Sequence, residues 1–100
     1  MNLQEKCKQL VVDYYNKRVD VTEKKKITKN DVYVVWFCKT LQNHKALLST
    51  TVSDGMYYEV TFNGDKDEYY LDAYKKWENV SISNKVITDV IQTEKITYKV

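Results

Sequence analysis

The two glycines of this chain stand in two short polar breaks, Ser53-Asp54-Gly55 and Asn63-Gly64-Asp65-Lys66, and the flanking residues alternate between apolar and polar. Asn-Gly between alternating runs is a strong hairpin signal, and a glycine closing a three-residue loop supplies the left-handed conformation such loops need. Lys45–Val52, Met56–Phe62 and Glu68–Glu78 are therefore predicted as consecutive antiparallel strands. With Asn63–Lys66 as a four-residue turn, Phe62 faces Asp67, Val60 faces Tyr69, Tyr58 faces Leu71 and Met56 faces Ala73. The opposite face pairs Thr61 with Glu68, Glu59 with Tyr70 and Tyr57 with Asp72. The loop at Asp54 adds Ala46, Leu48, Thr50 and Val52 to the face of Met56, Tyr58, Val60 and Phe62. One face is apolar and the other mixed, as a half-buried sheet requires. Glu68–Glu78 also fits a helix through Tyr70, Ala73, Tyr74 and Trp77; strand is preferred because the hairpin register explains more residues.

Upstream, Asp31–Leu41 (DVYVVWFCKTL) is dense in β-branched and aromatic residues. Val32, Val34, Trp36 and Cys38 share one face under strict alternation, and Tyr33, Val35, Phe37 and Leu41 the other. A strand apolar on both faces is expected to be central or covered on both sides. Gln42-Asn43-His44 reads as the following turn. Before the strands, Leu3, Cys7, Leu10, Val11 and Tyr14 form a helical stripe, with Asn2 as N-cap and Glu5 three residues on; Val12 and Tyr15 fall off it. The architecture predicted is α+β: an N-terminal helix (1–18), a basic connector (19–30), an antiparallel four-stranded β-meander (31–82) packed on the helix, and a C-terminal extension (83–100). In that extension Val86, Ile87, Val90 and Ile91 suggest helix, while Ile96, Tyr98 and Val100 alternate like a strand. One helix covers one side of the sheet, so the second apolar face calls for the extension or a second protein chain, with a homodimer preferred.

The length, 100 residues, fits one domain. With 43% hydrophobic and 30% charged residues and no proline, a disordered linker is excluded. No apolar run reaches membrane-spanning length and MNLQEKCKQL is not a signal peptide, so no membrane partner and a cytoplasmic location are expected. The formal net charge is +2, divided as +5 over residues 1–50 and −3 over residues 51–100. Lys17, Arg18, Lys24, Lys25, Lys26 and Lys29 concentrate the basic excess. The plainer reading is a solvated loop; the functional one is a patch that steers an anionic partner. Cys7 and Cys38 lie in apolar stretches and read as reduced core residues.

Chemistry-bearing motifs are sparse. His44 is the single histidine, in a predicted surface turn. There is no nucleophile elbow, phosphate-binding loop or zinc-protease signature, and Asp65, Asp67 and Glu68 lack the ligand series of a calcium loop. No catalytic residue, metal or cofactor is expected. Tyrosine stands out, with nine residues. Tyr57, Tyr70 and Tyr74 fall on the mixed face beside Glu59, Asp72 and Lys76. Tyrosine is enriched at interfaces, so these six form a candidate binding surface, although cross-strand tyrosine also suits any exposed sheet.

The run from Asp31 to Ile82, above all VVWFCKTLQNHKALLSTT, DGMYYEV and YLDAYKKWENV, resembles an uncharacterised family of small phage- and prophage-encoded proteins of Gram-positive bacteria. The resemblance covers roughly residues 7–82, and Ser83–Val100 departs from it. It implies an origin, in an infected or lysogenic host, and no mechanism. By analogy with small phage accessory proteins, the expected function is non-catalytic binding and inhibition of a host protein, of anti-CRISPR or other anti-defence type. The alternatives are a nucleic-acid-binding accessory protein, which the modest charge disfavours, and a nucleotide-binding sponge.

Overall fold

The computed structural model describes residues 2–19 and 25–85. Lys24 of the predicted basic patch and the tail readings at Val86–Val100 lie outside them. Helix α1 spans Leu3–Val19. Its start is fixed by Asn2, whose Oδ1 accepts a hydrogen bond from the Glu5 amide at 2.8 Å, satisfying one of the first-turn donors. The buried stripe is Cys7, Val11, Val12, Tyr15 and Val19, while Leu10 and Tyr14 are half-buried. The helix is thus rolled toward Val12 and Tyr15, which the sequence stripe left aside.

A single 3-10 turn, η1 (Lys29–Asp31), leads into four strands: β1 (Val32–Thr40), β2 (Asn43–Thr50), β3 (Met56–Asn63) and β4 (Glu68–Lys75). The sheet is an antiparallel meander in the order β1-β2-β3-β4, so the predicted α+β architecture is observed. Residues 68–75 are strand, which resolves the helix alternative.

β1 is an edge strand and not a central one. Its two faces also differ from strict alternation. Val34 pairs with Leu48 and Trp36 with Leu47, so Val35 is the extra residue of a β-bulge. The bulge turns Val32, Val34 and Phe37 inward, across from Thr50, Leu48 and Ala46, and turns Tyr33, Trp36 and Cys38 outward. One covered face then suffices for an edge strand.

Both hairpin registers differ by two residues from the sequence reading. Ala46 pairs with Val60 and Ser49 with Tyr57, across a loop of Thr51–Gly55. Phe62 pairs with Tyr69, Val60 with Leu71, Glu59 with Asp72 and Tyr57 with Tyr74. Side chains alternate with period two, so a two-residue slip leaves every face assignment intact. Gly55 has φ +71°, the left-handed conformation expected of it.

The first turn is Leu41-Gln42, and Leu41 has φ 54°. His44 therefore lies in β2 and points inward, only 3% exposed, correcting its assignment to a surface turn. Helix α1 packs across the inner face of β1, β2 and β3. The core joins Cys7, Val11, Val12 and Tyr15 to Val32, Ala46, Leu48, Tyr58 and Val60. Fully burying a side chain such as Leu48 or Val60 stabilises by ~1.5–3 kcal/mol. Cys7 is buried, and burial pushes its thiol pKa up. Cys38 is exposed on the outer face, contrary to its core reading.

Candidate docking face

The pairings place the outward residues in three rows across all four strands. Tyr33, Ser49, Tyr57 and Tyr74 form the first; Trp36, Leu47, Glu59 and Asp72 the second; Cys38, Lys45, Thr61 and Tyr70 the third. Helix α1 covers the opposite face, so this one keeps its aromatic rings in water. Tyr33 is 48% exposed, Trp36 42%, Tyr70 42% and Tyr74 52%.

Five of the six predicted surface residues, Tyr57, Glu59, Tyr70, Asp72 and Tyr74, stand together here. Lys76 follows the end of β4 and joins Tyr33, Ser49 and Tyr57 around a shallow hollow of about 420 Å³. A second hollow of about 350 Å³, lined by Trp36, Cys38, Lys45 and Thr61 among others, lies toward the opposite end of β1 and β2. Sequence reasoning missed Tyr33, Trp36 and Leu47 as members of the face, because only the bulge at Val35 brings Tyr33 and Trp36 to the same side.

The charges on the face are mixed. Lys45 and Glu59 approach to 3.4 Å across β2 and β3. The Tyr70 hydroxyl donates to Glu68, and that bond holds the Tyr70 pKa above its ordinary value. The face offers flat aromatic area with polar tips, the composition of a protein-binding patch.

The basic residues lie elsewhere. Lys17 and Arg18 are in the last turn of α1, and the Arg18 guanidinium lies 5.3 Å from the centre of the Tyr14 ring. Lys25 and Lys26 border Ile27 and Asp31, and Lys29 is 3.5 Å from Glu5. They belong to the helix side of the molecule and do not share the aromatic face.

One cleft of about 320 Å³ opens between the end of α1 and the β2–β3 loop, lined by Tyr14, Tyr15, Arg18, Asp54 and Tyr58 among others. Burial, with Asp54 and the two neighbouring tyrosines, pushes the Tyr58 pKa up to about 12. Among the described residues the lining provides one cation, Arg18, set against one carboxylate, Asp54, a poor match for a polyphosphate. Among the described residues no three His, Cys, Asp or Glu side chains cluster as metal ligands. No helix among them is long and apolar enough to cross a membrane.

The chain belongs to a protein family whose pattern matches residues 4–84, described as a Family of unknown function (DUF6275). The match ends close to where the sequence resemblance does, ahead of the C-terminal segment. No curated protein and no solved structure matches the chain.

Proposed function

We propose that this protein acts without catalysis, by docking its outer sheet face on another protein. The observation that carries the reading is the exposed aromatic surface of Tyr33, Trp36, Tyr70 and Tyr74, with Tyr57 half-buried among them, on a sheet whose other face is filled by α1. Contiguous exposed apolar surface of this kind marks interaction sites in small proteins. In this reading the chain is a phage or prophage accessory protein and the partner is a host protein that it inhibits, as anti-CRISPR and other anti-defence inhibitors do. The phage origin rests on the sequence resemblance alone. Lys17, Arg18 and Lys24–Lys29 steer the encounter with an acidic partner and do not set its specificity.

Nucleic-acid binding is the weaker reading. Stacking proteins interleave aromatic residues with a positive groove. Here Glu59, Glu68 and Asp72 share the aromatic face with Lys45 and Lys76, and the basic residues sit on the helix side. The test is affinity capture from extracts of a bacterial host, with and without nuclease. A protein partner that survives nuclease, together with inhibition of that partner's activity, supports the proposal. A signal that disappears with nuclease replaces it by the nucleic-acid reading.

A further inference from the structure

Polar groups converge in the cleft of about 320 Å³ between the end of α1 and the β2–β3 loop. Tyr15 and Tyr58 line it at 8% and 3% exposure, and among the described residues neither hydroxyl makes a hydrogen bond. Buried polar groups are ordinarily paired, so two such phenols on one cleft call for a partner within it. Besides burial, the groups that act on the Tyr58 hydroxyl are Asp54, Tyr14, Tyr15 and Arg18, every one of them in the lining. The two charges are each held in place. Asp54 Oδ1 accepts the Met56 amide at 3.0 Å, which anchors the carboxylate and leaves Oδ2 for a ligand. The Arg18 guanidinium lies 5.3 Å from the centre of the Tyr14 ring, an arrangement that leaves its edge N–H groups for a carboxylate. Tyr14 and Tyr58 meet edge to face, with ring centres 5.9 Å apart, and Met56 adds to this apolar wall.

We propose that the cleft binds a small zwitterion with an apolar or aromatic body, a free amino acid, with its carboxylate on Arg18, its ammonium on Asp54 and its side chain against Tyr14, Tyr58 and Met56. One cation opposite one carboxylate matches a ligand that carries both charges and penalises one that carries either alone. The volume lies at the lower end of the ~300–1,000 Å³ range of ligand pockets, which suits a ligand of this size. With its pKa pushed up to about 12, the Tyr58 hydroxyl remains a donor for the ligand carboxylate at neutral pH. Arg18 belongs to α1 and Asp54 to the β2–β3 loop, so the ligand bridges helix and sheet and stabilises the fold by mass action. The site lies on the helix side of the sheet and is independent of what the outer face binds.

The experiment is isothermal titration calorimetry on the full chain with L-leucine, L-phenylalanine and L-tyrosine, each at up to about 10 mM. At least one should bind and raise the unfolding temperature. For L-phenylalanine or L-tyrosine, the analogue without the ammonium and the analogue without the carboxylate should bind at least roughly tenfold more weakly, as loss of a charge-assisted pair requires. Arg18→Gln and Asp54→Asn should each weaken the amino acid by a similar factor; Asp54→Asn keeps the acceptor for the Met56 amide. Tyr58→Phe should weaken it by a smaller factor, and Lys17→Gln, outside the cleft, should leave it unchanged. Absence of binding by all three amino acids, equal binding of a singly charged analogue, or binding indifferent to both Arg18→Gln and Asp54→Asn overturns the proposal.

Discussion

The side-chain amide of Asn16 holds both backbone groups of Ile27, donating from Nδ2 to the carbonyl oxygen and accepting the amide at Oδ1, each at 2.8 Å. It acts as a one-residue β-bridge between α1 and the segment that returns from it. Ile27, 6% exposed, is thereby seated in the core.

Asn16→Asp removes the donor and sets a carboxylate against the Ile27 carbonyl, so it should destabilise by about 1–3 kcal/mol, the cost of a polar group left without its partner. Urea unfolding measures this directly. A loss below about half a kcal/mol, the ordinary surface-substitution range, would show that the bridge does not hold the connector.

His44 is stacked on Phe62 with ring centres 5.0 Å apart and also contacts Phe37 and Tyr69, and its Nε2 has no hydrogen-bond partner among the described residues. Burial, then Lys39 and Lys6, lowers its pKa below the usual 6.5. The unfolded chain therefore binds a proton where the folded chain does not. Stability from this residue is complete above about 6.5 and falls as the pH drops toward the folded value. Denaturation midpoints at pH 7.5 and pH 5.5 should differ in the wild type and converge in His44→Phe. An equal pH dependence in both proteins would contradict a neutral, buried imidazole.

The two glycines should fail differently. A Cβ on Gly64 would come within 2.2 Å of the Gln42 carbonyl oxygen, where the β3–β4 turn leans on the first turn and the Gly64 amide donates to Asn43 Oδ1 at 2.8 Å. Gly64→Ala should cost about 1–3 kcal/mol through displaced backbone. A Cβ on Gly55 would meet the Lys76 Cβ at an ordinary 4.0 Å, but φ is positive, so Gly55→Ala should cost about 1–2 kcal/mol from backbone strain. Leu41 already sits at φ 54° and is 80% exposed, so Leu41→Gly should leave stability unchanged or raise it. Thermal unfolding of the three variants checks the set, and a clear loss in Leu41→Gly would contradict strain at that turn.

Leu48 is fully buried and Leu10 only half-buried. Leu48→Ala should cost about 2–5 kcal/mol, the range for emptying a core leucine site. Leu10→Ala should cost clearly less in the same urea assay, and the reverse order would show that the helix is rolled the other way.

The helix cap at Asn2, the meander and the inner faces at Ala46, Leu48, Met56, Tyr58, Val60, Tyr69 and Leu71 are legible in the sequence. Both registers are misjudged by two residues, the first because the loop is Thr51–Gly55 and the second because the four-residue turn begins at Gly64 and not at Asn63, and an even error preserves the faces. The bulge is not legible, because Val34-Val35-Trp36 contains no glycine or other mark of an extra residue. The first turn is hidden for a similar reason: Leu41 takes a positive φ that a sequence normally signals with glycine or asparagine. That concealment put His44 in a turn. The candidate face was half visible, through Tyr57, Tyr70 and Tyr74; its β1 half depends on the bulge.

The most direct test of the docking face compares three proteins in nuclease-treated capture and inhibition assays: the wild type, Tyr33→Ser/Trp36→Ser/Tyr74→Ser, and Lys24→Ala/Lys25→Ala/Lys26→Ala. The first variant alters exposed rings and should keep its urea midpoint. It should weaken partner binding by roughly thirtyfold or more, as loss of central aromatic contacts does. The lysine variant should slow association at low salt and leave dissociation nearly unchanged. Undiminished binding by the folded aromatic variant would contradict the outer sheet face as the docking surface.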